Sequence, residues 1–280
     1  MNMAWQLLSI EGRDSQDFLH RVSTAWAKKM QPGEATKSLL LSGTAKVIAP
    51  FFLLCVRADH FYLLVEQGLG DALFDGLEAL HFAEEFTLKK INGVEARLCK
   101  KNSPGTEEKY HESDELFFPF FGASDVNALS VIIPFPAQNI FLVLGREQVG
   151  FSLVSEEEFL RARVENLLPA RGREYTEESG ALDVGFLPWI HRGKGCYPGQ
   201  EVVERSLNVG HPARALVQIE SEELLREGDE LFVDEKKAGT LTSAFAQKAL
   251  GIVQWKYKDK ATRYQLIRAE QKIGEAECLK

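Results

Sequence analysis

From Leu216 onward the sequence loses its helical periodicity, and this change most constrains how the chain can fold. Short strand-like segments follow one another at close spacing, with Gly228, Gly239 and Gly251 between them. Such a pattern is typical of a small antiparallel barrel. The sequence therefore predicts a separate C-terminal β-barrel. Its expected strands are 216–219, 230–233, 237–242, 250–254 and 263–267.

The first hundred residues alternate between strand and helix patterns and predict an α+β region of order β-α-β-β-β-α-β-β. The expected helices are 16–27, capped by Asp14 or Ser15, and 70–80, which has an apolar face. A third helix should begin at the capping signature of Ser155 and end by Pro169. The expected strands are 7–12, 36–41, 47–57, 61–66, and a pair at 86–91 and 96–99 around the turn Asn92-Gly93, followed by 131–133 and 140–144.

Composition excludes several classes of protein. The chain has 280 residues, which is too long for one ordinary core, and its net charge is 33 − 41 = −8. That charge argues against general binding to nucleic acid or anionic membranes. The apolar runs are too short to span a membrane, and the N-terminus lacks the basic region of a signal peptide. The four cysteines are scattered without a CxxC pair, so we expect a cytoplasmic protein with reduced thiols.

The segment 194–201, with sequence KGCYPGQE, is the best candidate for chemistry. Gly195 and Gly199 permit positive φ or close approach of another group, and Pro198 fixes its own φ. Mixed with charged residues, they predict no regular helix or strand over 191–214. His191, Arg192 and Lys194 precede Cys196, and nearby cations favour the nucleophilic thiolate. The alternative that spacing leaves open is a tight turn with a partly buried, inert cysteine.

Other motifs fail on spacing. The glycines at 193, 195 and 199 form GxGxxxG rather than a dinucleotide fingerprint, and Gly193-Lys194 lacks the rest of a P-loop. The histidines form no HxxxH or HExxH set, which argues against a mononuclear metal site. Ser206 has no evident base partner for a hydrolase triad.

The same segment, followed by Arg205, Gly210 and Arg214, resembles the KGCYxGQExxxR signature of the YgfZ-type folate-binding proteins. These are relatives of the aminomethyltransferase (T-protein) of the glycine cleavage system. Further similarities lie at 12–19 (GxDAxxFL), at 163–174 (RxExG followed by GxE) and at 239–243 (GxxTS). The chain departs from the pattern at Leu167, where the family has Gly, and at the turn 43–46.

The resemblance implies an α+β aminomethyltransferase-like fold: three domains in a ring around a central folate pocket, with the β-barrel at the C-terminus. We accordingly expect domains at 1–120, 121–205 and 206–280. It also implies a monomer that binds tetrahydrofolate or a folate derivative and serves iron–sulfur client enzymes or assembly proteins, including those of tRNA modification. It implies no membrane, no resident metal and no direct contact with nucleic acid.

The resemblance assigns the functional thiol to Cys196. The cofactor-binding positions that we carry over from it are Arg163, Glu165, Lys194, Tyr197, Gln200, Glu201, Arg205 and Arg214. Glu165 is the candidate acceptor for the pterin edge, against an ordinary pairing with Arg161 or Arg163. Arg205 and Arg214 are candidates for the carboxylate of the glutamate tail, against ordinary surface ion pairs.

Two functions follow from these assignments. The first is a non-enzymatic folate-binding accessory protein for the assembly, maintenance or repair of iron–sulfur clusters. The second is a folate-dependent aminomethyltransferase, one-carbon transferase or demethylase. The acid that assists transfer in the aminomethyltransferases aligns with Leu73, and no substitute acid stands out. The first function is therefore the prediction and the second its alternative.

Overall fold

The computed structural model describes residues 5–92, 96–101, 116–117, 130–137, 140–145, 150–259 and 262–280. The chain forms two compact units. Unit 1 consists of Met1–Gly43, Val47–Val154 and Trp189–Pro198, and unit 2 consists of Thr44–Lys46, Ser155–Pro188 and Gly199–Lys280. The division into three domains stays a prediction, because its first boundary, after residue 120, lies outside the described residues.

The described residues of unit 1 form two antiparallel sheets. One has six strands in the order β5-β1-β4-β3-β2-β7, and the other has four in the order β10-β6-β9-β8. The strands are β1 Trp5–Glu11, β2 Glu34–Leu41, β3 Val47–Arg57, β4 His60–Glu66, β5 Thr87–Ile91, β6 Ala96–Lys101, β7 Leu116–Phe117, β8 Ser130–Pro134, β9 Ile140–Gly145 and β10 Phe151–Leu153.

Two helices, α1 (Ser15–Val22) and α2 (Gly70–Glu78), pack on one face of the six-stranded sheet. Their apolar faces are buried against alternate residues of the central strands, as the helical spacing predicts. The helices contribute Phe18, Leu19, Leu73 and Leu77, and the strands contribute Leu8, Ile10, Phe51, Leu53, Phe61, Leu63 and Val65.

Helix α1 ends earlier than its sequence pattern predicts, at Val22 rather than at residue 27. In a longer helix the carbonyl of His20 would accept from the amide of Thr24. That amide donates instead to Leu39 O at 3.1 Å, and the His20 carbonyl accepts from the amine of Lys194. The competing partners are distant in sequence, so local propensity could not reveal where the helix stops.

The expected hairpin around Asn92-Gly93 is wrong, although both of its strands exist. Strand β5 pairs with β1, from Leu7 opposite Ile91 to Glu11 opposite Thr87, whereas β6 pairs with β9 and β10. The two strands thus belong to different sheets. A turn sequence signals a change of direction, but it does not decide which strand each neighbour joins.

Unit 2 contains helix α3 (Glu156–Asn166), helix α4 (Gln200–Asn208) and a closed six-stranded antiparallel barrel. The predicted capping box of α3 is present, with Ser155 and Glu158 bonding reciprocally. Around the barrel the order is β11-β14-β13-β12-β15-β16. The strands are β11 Arg214–Ser221, β12 Glu230–Val233, β13 Lys236–Phe245, β14 Lys248–Gln254, β15 Arg263–Arg268 and β16 Gln271–Cys278.

The α+β class and the C-terminal antiparallel barrel are therefore confirmed. Two elements of unit 2 were not predicted. Strand β16 carries a lysine and two glutamic acids that obscure its alternation, and α4 lies within 191–214, where no regular structure was expected. Helix α4 buries a single side chain, Val203.

Candidate functional site

Cys196 is the exposed cysteine of the chain, whereas Cys55, Cys99 and Cys278 are buried. It lies in an irregular segment between a short 3-10 turn at Leu187–Trp189 and helix α4. The thiol is therefore not partly buried, as the alternative supposed, while its reactivity stays a prediction. An exposed thiol without a disulfide partner is able to act as a nucleophile once it is ionised.

Lys194 anchors this segment to helix α1. Its side chain is buried, and its amine donates to the carbonyls of His20 and Ser23, at the C-terminal end of the helix. A cation is favoured there because the last carbonyls of a helix lack partners and carry partial negative charge. The Tyr197 ring lies 5.1 Å from the same amine. The cofactor-binding prediction for Lys194 and Tyr197 stays a prediction, but both positions support the thiol segment.

Burial lowers the pKa of the Lys194 amine to about 7, and the charge of the Cys196 thiolate opposes that shift. The Cys196 side chain therefore lies close enough to influence the amine. A lysine whose amine loses its proton near neutral pH is uncommon, because the unperturbed pKa lies near 10.4.

Further hydrogen bonds to main-chain carbonyls hold the segment against the same end of helix α1. The Thr24 hydroxyl donates to Trp189 O at 2.7 Å, and the His191 amide donates to Thr24 O at 3.0 Å. The His191 ring meets Trp26 edge-on, with centroids 4.8 Å apart. The predicted loop is thus fixed at several points rather than only at its ends.

His20 was not singled out by the sequence, yet it lies beneath the thiol segment. It is buried, and a Cβ added at Gly195 would lie 3.6 Å from its Nε2 atom. Burial and the charge of Lys194 lower the pKa of His20 to about 4, so the ring is neutral at pH 7. In the described part of the chain its Nδ1 has no hydrogen-bond partner. Its contact with residues near 195 is too long-range for any sequence pattern to signal.

Of the two expectations for these glycines, positive φ holds for Gly199, whereas at Gly195 another group, the His20 ring, approaches the backbone. Gly199 has φ 80° and forms the N-cap of α4, so the conformation ends the thiol segment and starts the helix. Replacing Gly199 by alanine should lower the free energy of unfolding by about 1–2 kcal/mol, since a left-handed conformation strains any residue with a Cβ. Urea unfolding of Gly199→Ala and of Gly195→Ala would measure this. Equal losses would contradict it.

Arg163, whose role in binding the cofactor stays a prediction, is the centre of a buried network in unit 2. Its guanidinium donates to Glu174, to Leu168 O at 3.1 Å and to the hydroxyl of Ser243 at 3.4 Å. The Ser243 hydroxyl in turn donates to Glu174 at 2.6 Å. These partners satisfy the guanidinium within the protein. The matching motif pieces around 163–174 and 239–243 therefore join helix α3 to the barrel.

The remaining predicted residues of unit 2 are dispersed. Glu165 is half-buried and accepts from Arg161 Nε at 2.9 Å, which is the ordinary pairing considered above. Gln200 and Glu201 lie in the first turn of α4 and Arg205 in its last, with Glu201 and Arg205 exposed. The structure brings Lys194, Cys196 and Tyr197 together in unit 1, but it does not gather these others around one point of unit 2.

Arg214 lines a cleft of about 730 Å³ in unit 2, between the segment 173–184 and strands β13 and β14. Its backbone amide donates to Asp183 at 3.0 Å. Among the described residues no carboxylate lies within ion-pairing distance of its guanidinium. The cleft also contains Arg173, Lys237 and Thr240. Glu174, Glu178 and Asp183 line it as well, so the charge of its lining is mixed.

Two negative findings concern the described residues alone. No group of three histidine, cysteine or acidic side chains is arranged to hold a metal ion. No helix is long and apolar enough to cross a membrane.

The fold matches a solved structure, that of the glycine cleavage system aminomethyltransferase T from Bartonella henselae, with a TM-score of 0.81 and 19% identity. The match covers 99% of this chain and 83% of the other. The chain has the aminomethyltransferase fold. This confirms the predicted fold, while the central folate pocket and the YgfZ-type specificity stay predictions.

Sequence comparison finds two curated relatives. One is an uncharacterized protein of Haemophilus influenzae, 26% identical over 254 residues, which are 86% of this chain and 81% of the relative. The other is a protein of Arabidopsis thaliana described as a proposed chloroplastic transferase, 22% identical over 261 residues, which are 84% of this chain and 59% of the relative. No protein-family model matches the chain.

Proposed function

We propose that this chain is a cytoplasmic, tetrahydrofolate-binding accessory protein for iron–sulfur proteins, with Cys196 as its functional thiol. The observation that carries the proposal is the exposed Cys196 on a segment anchored by buried Lys194, in a chain with the aminomethyltransferase fold. The link to iron–sulfur proteins, including those of tRNA modification, rests on the resemblance of segment 194–201 to the folate-binding branch.

The reactions available to Cys196 are limited because no other cysteine of the described residues is exposed. Its thiolate is able to attack a partner's disulfide or persulfide, in which case one sulfur–sulfur bond breaks as another forms. Iron–sulfur clusters normally need four protein ligands. No second cysteine of the described residues is exposed, so a cluster at Cys196 would require thiols from another molecule. We therefore favour transfer of sulfur or thiol exchange over resident storage of a cluster.

Tetrahydrofolate fits some of the predicted residues and not others. The Arg214 guanidinium is free to bind the carboxylate of the glutamate tail in the cleft, since arginine binds carboxylates bidentately. Glu165 retains acceptor capacity for a pterin edge, because Arg161 occupies only one of its oxygens. Arg163 is committed to Glu174, so in this proposal it supports helix α3 rather than touching the ligand.

Ligand binding is tested by thermal unfolding under anaerobic conditions. Tetrahydrofolate at a hundred times its Kd should stabilise the protein by about 2.7 kcal/mol and raise its Tm. Arg214→Ala should reduce this gain, whereas Arg226→Ala, a change at another exposed arginine of unit 2, should not. An unchanged Tm of the wild-type protein with tetrahydrofolate would remove the folate part of the proposal.

The role of the thiol is tested by complementation. Cys196→Ala should fold with wild-type Tm, because the side chain is exposed, and yet fail to restore iron–sulfur enzyme activity in a strain that lacks the protein. Cys278→Ala, at a buried cysteine, should restore that activity if the protein folds. Full restoration by Cys196→Ala would refute the assignment.

A transferase is the second candidate, and two findings favour it. The relative from Arabidopsis is described as a proposed transferase, and the matching structure is an aminomethyltransferase. Against it, Leu73, which aligns with the family's assisting acid, is fully buried in the core of unit 1. Release of the one-carbon unit from 5,10-methylene-tetrahydrofolate, or from an N-methyl donor, by the purified protein would favour the transferase over the accessory role.

A further inference from the structure

The surface that borders Cys196 is basic, although the chain as a whole is acidic. We define this thiol surface as Trp26, Lys28, Lys29, His191 and Arg192. The chain has 41 acidic residues against 33 lysines and arginines. Positive charge near the exposed thiol is therefore a local feature and does not follow from composition.

Contacts within unit 1 bring these residues together. Gly195, the neighbour of Cys196, lies over the ring of His20. The ring centroid of His20 in turn lies 6.4 Å from that of Trp26. The thiol segment and the turn after helix α1 thus form one continuous surface.

Trp26 joins the two parts of the thiol surface. The edge of His191 meets its ring at 4.8 Å, and the amine of Lys29 lies 3.6 Å from the ring centroid. A cation over an indole face is held in place without losing its charge. Lys29 therefore presents a positioned charge rather than a freely moving one.

The positive charges are only partly compensated. Lys28 pairs with Asp17 at 3.0 Å, and both side chains are largely exposed. Within the described ranges, no carboxylate lies within ion-pairing distance of Lys29 or Arg192. Two cations without such counter-ions therefore remain on the thiol surface, and exposed charges of this kind steer ligands of opposite sign toward a site.

We propose that the thiol surface docks an acidic segment of a partner protein and delivers it to Cys196. The inference rests on the proposed role of Cys196 as a functional thiol and names the partner that this thiol would serve. A protein segment suits the surface, because the cations are exposed side chains of two separate chain segments and Cys196 is itself exposed. Nucleic acid is the less favoured partner, since its binding relies on many phosphate contacts and the chain carries a net charge of −8.

The first test measures how Cys196 responds to the charge of a reagent. Its thiolate attacks one sulfur of an aromatic disulfide, forms a mixed disulfide and releases a coloured thiolate. Rates are compared for dianionic dithiobis(nitrobenzoate) and for neutral dithiodipyridine at low and high salt. At low salt, the anionic reagent should react faster relative to the neutral reagent than it does at high salt. Lys29→Glu combined with Arg192→Glu should lower the ratio of the anionic to the neutral rate about tenfold.

Matched controls separate this effect from a general change of charge. Lys89→Glu alters an exposed lysine on strand β5 of the same unit and should leave the ratio unchanged. Cys196→Ser should abolish the fast reaction, because the other cysteines are buried. If the ratio of the two rates changes neither with salt nor in the double variant, the proposal is wrong.

The second test asks which polymer the surface prefers. A decaglutamate peptide should slow the reaction of Cys196 with dithiodipyridine in the wild-type protein but not in the double variant, and a decalysine peptide should not slow it. Stronger protection by an oligouridylate than by decaglutamate would overturn the choice of a protein partner. The melting shift with tetrahydrofolate is measured on the same samples. Absence of the melting shift would count against the proposed function. A normal melting shift, together with a reaction rate of Cys196 that does not depend on reagent charge, would count only against this inference.

Discussion

Replacing Glu174 by glutamine should lower the free energy of unfolding by about 3–5 kcal/mol, because it leaves the buried Arg163 guanidinium without its counter-charge. The two side chains are 6% and 0% exposed, so water cannot replace the lost partner. Glu174 also accepts from the Ala170 amide at 2.8 Å and from Ser243. Urea unfolding followed by circular dichroism would measure the loss.

An exposed ion pair of the same unit provides the control. Arg173 and Glu227 are 44% and 60% exposed, and Glu227→Gln should change stability by less than about 1 kcal/mol. The double change Arg163→Met with Glu174→Leu should be less destabilising than Glu174→Gln alone, since it removes both charges together. Similar losses for Glu174→Gln and Glu227→Gln would contradict the account of the buried network.

The wild-type protein should become more stable as pH rises above 7, and Lys194→Met should abolish this gain. The folded amine loses its proton near pH 7, whereas the amine of the unfolded chain keeps it to about 10.5. Between these values the unfolded state binds more protons, so the free energy of unfolding increases with pH. Two pH units correspond to about 3 kcal/mol, and the carbonyls of His20 and Ser23 reduce that figure because they favour the ammonium.

Denaturant unfolding at pH 7, 8 and 9 would give the slope for each protein. Lys89→Met, at an exposed lysine, should keep the wild-type slope. Burial also raises the pKa of Cys55 to about 12, which lowers the stability of both proteins near pH 9. The test is therefore the difference in slope between wild type and Lys194→Met, in which this common effect cancels. Parallel curves for wild type and Lys194→Met would contradict the burial of an ionisable amine.

Local pattern sufficed for most elements of the fold. Apolar alternation or helical spacing revealed β3, β4, α2 and most strands of the barrel, and the capping signature located the start of α3. Local pattern could not predict which strands pair, because β5 and β6 are close in sequence and yet join different sheets. The end of α1 was equally hidden, since Lys194 and Leu39 take over its carbonyl and amide from distant positions.

The sequence likewise predicted part of the candidate site and missed the rest. The motif drew attention to Cys196, and its exposure agrees with a functional thiol. The motif did not reveal that Lys194 caps a helix or that Arg163 neutralises Glu174. Their predicted roles in binding the cofactor stay predictions. Nothing in the sequence pointed to His20 or Trp26. Their importance comes from a neighbour more than 160 positions away along the chain.

The thiol segment reaches unit 1 only after the chain has built part of unit 2. Unit 1 takes Trp189–Pro198 from beyond Ser155–Pro188, which belongs to unit 2, and unit 2 takes Thr44–Lys46 from within the N-terminal half. Neither unit is therefore a contiguous stretch that could be cut out and expressed alone. A fragment ending at Val154 would lack Lys194, leaving the end of helix α1 uncapped. Studies of the thiol thus require the full chain, because neither truncation nor a shift of the chain ends would make one unit contiguous.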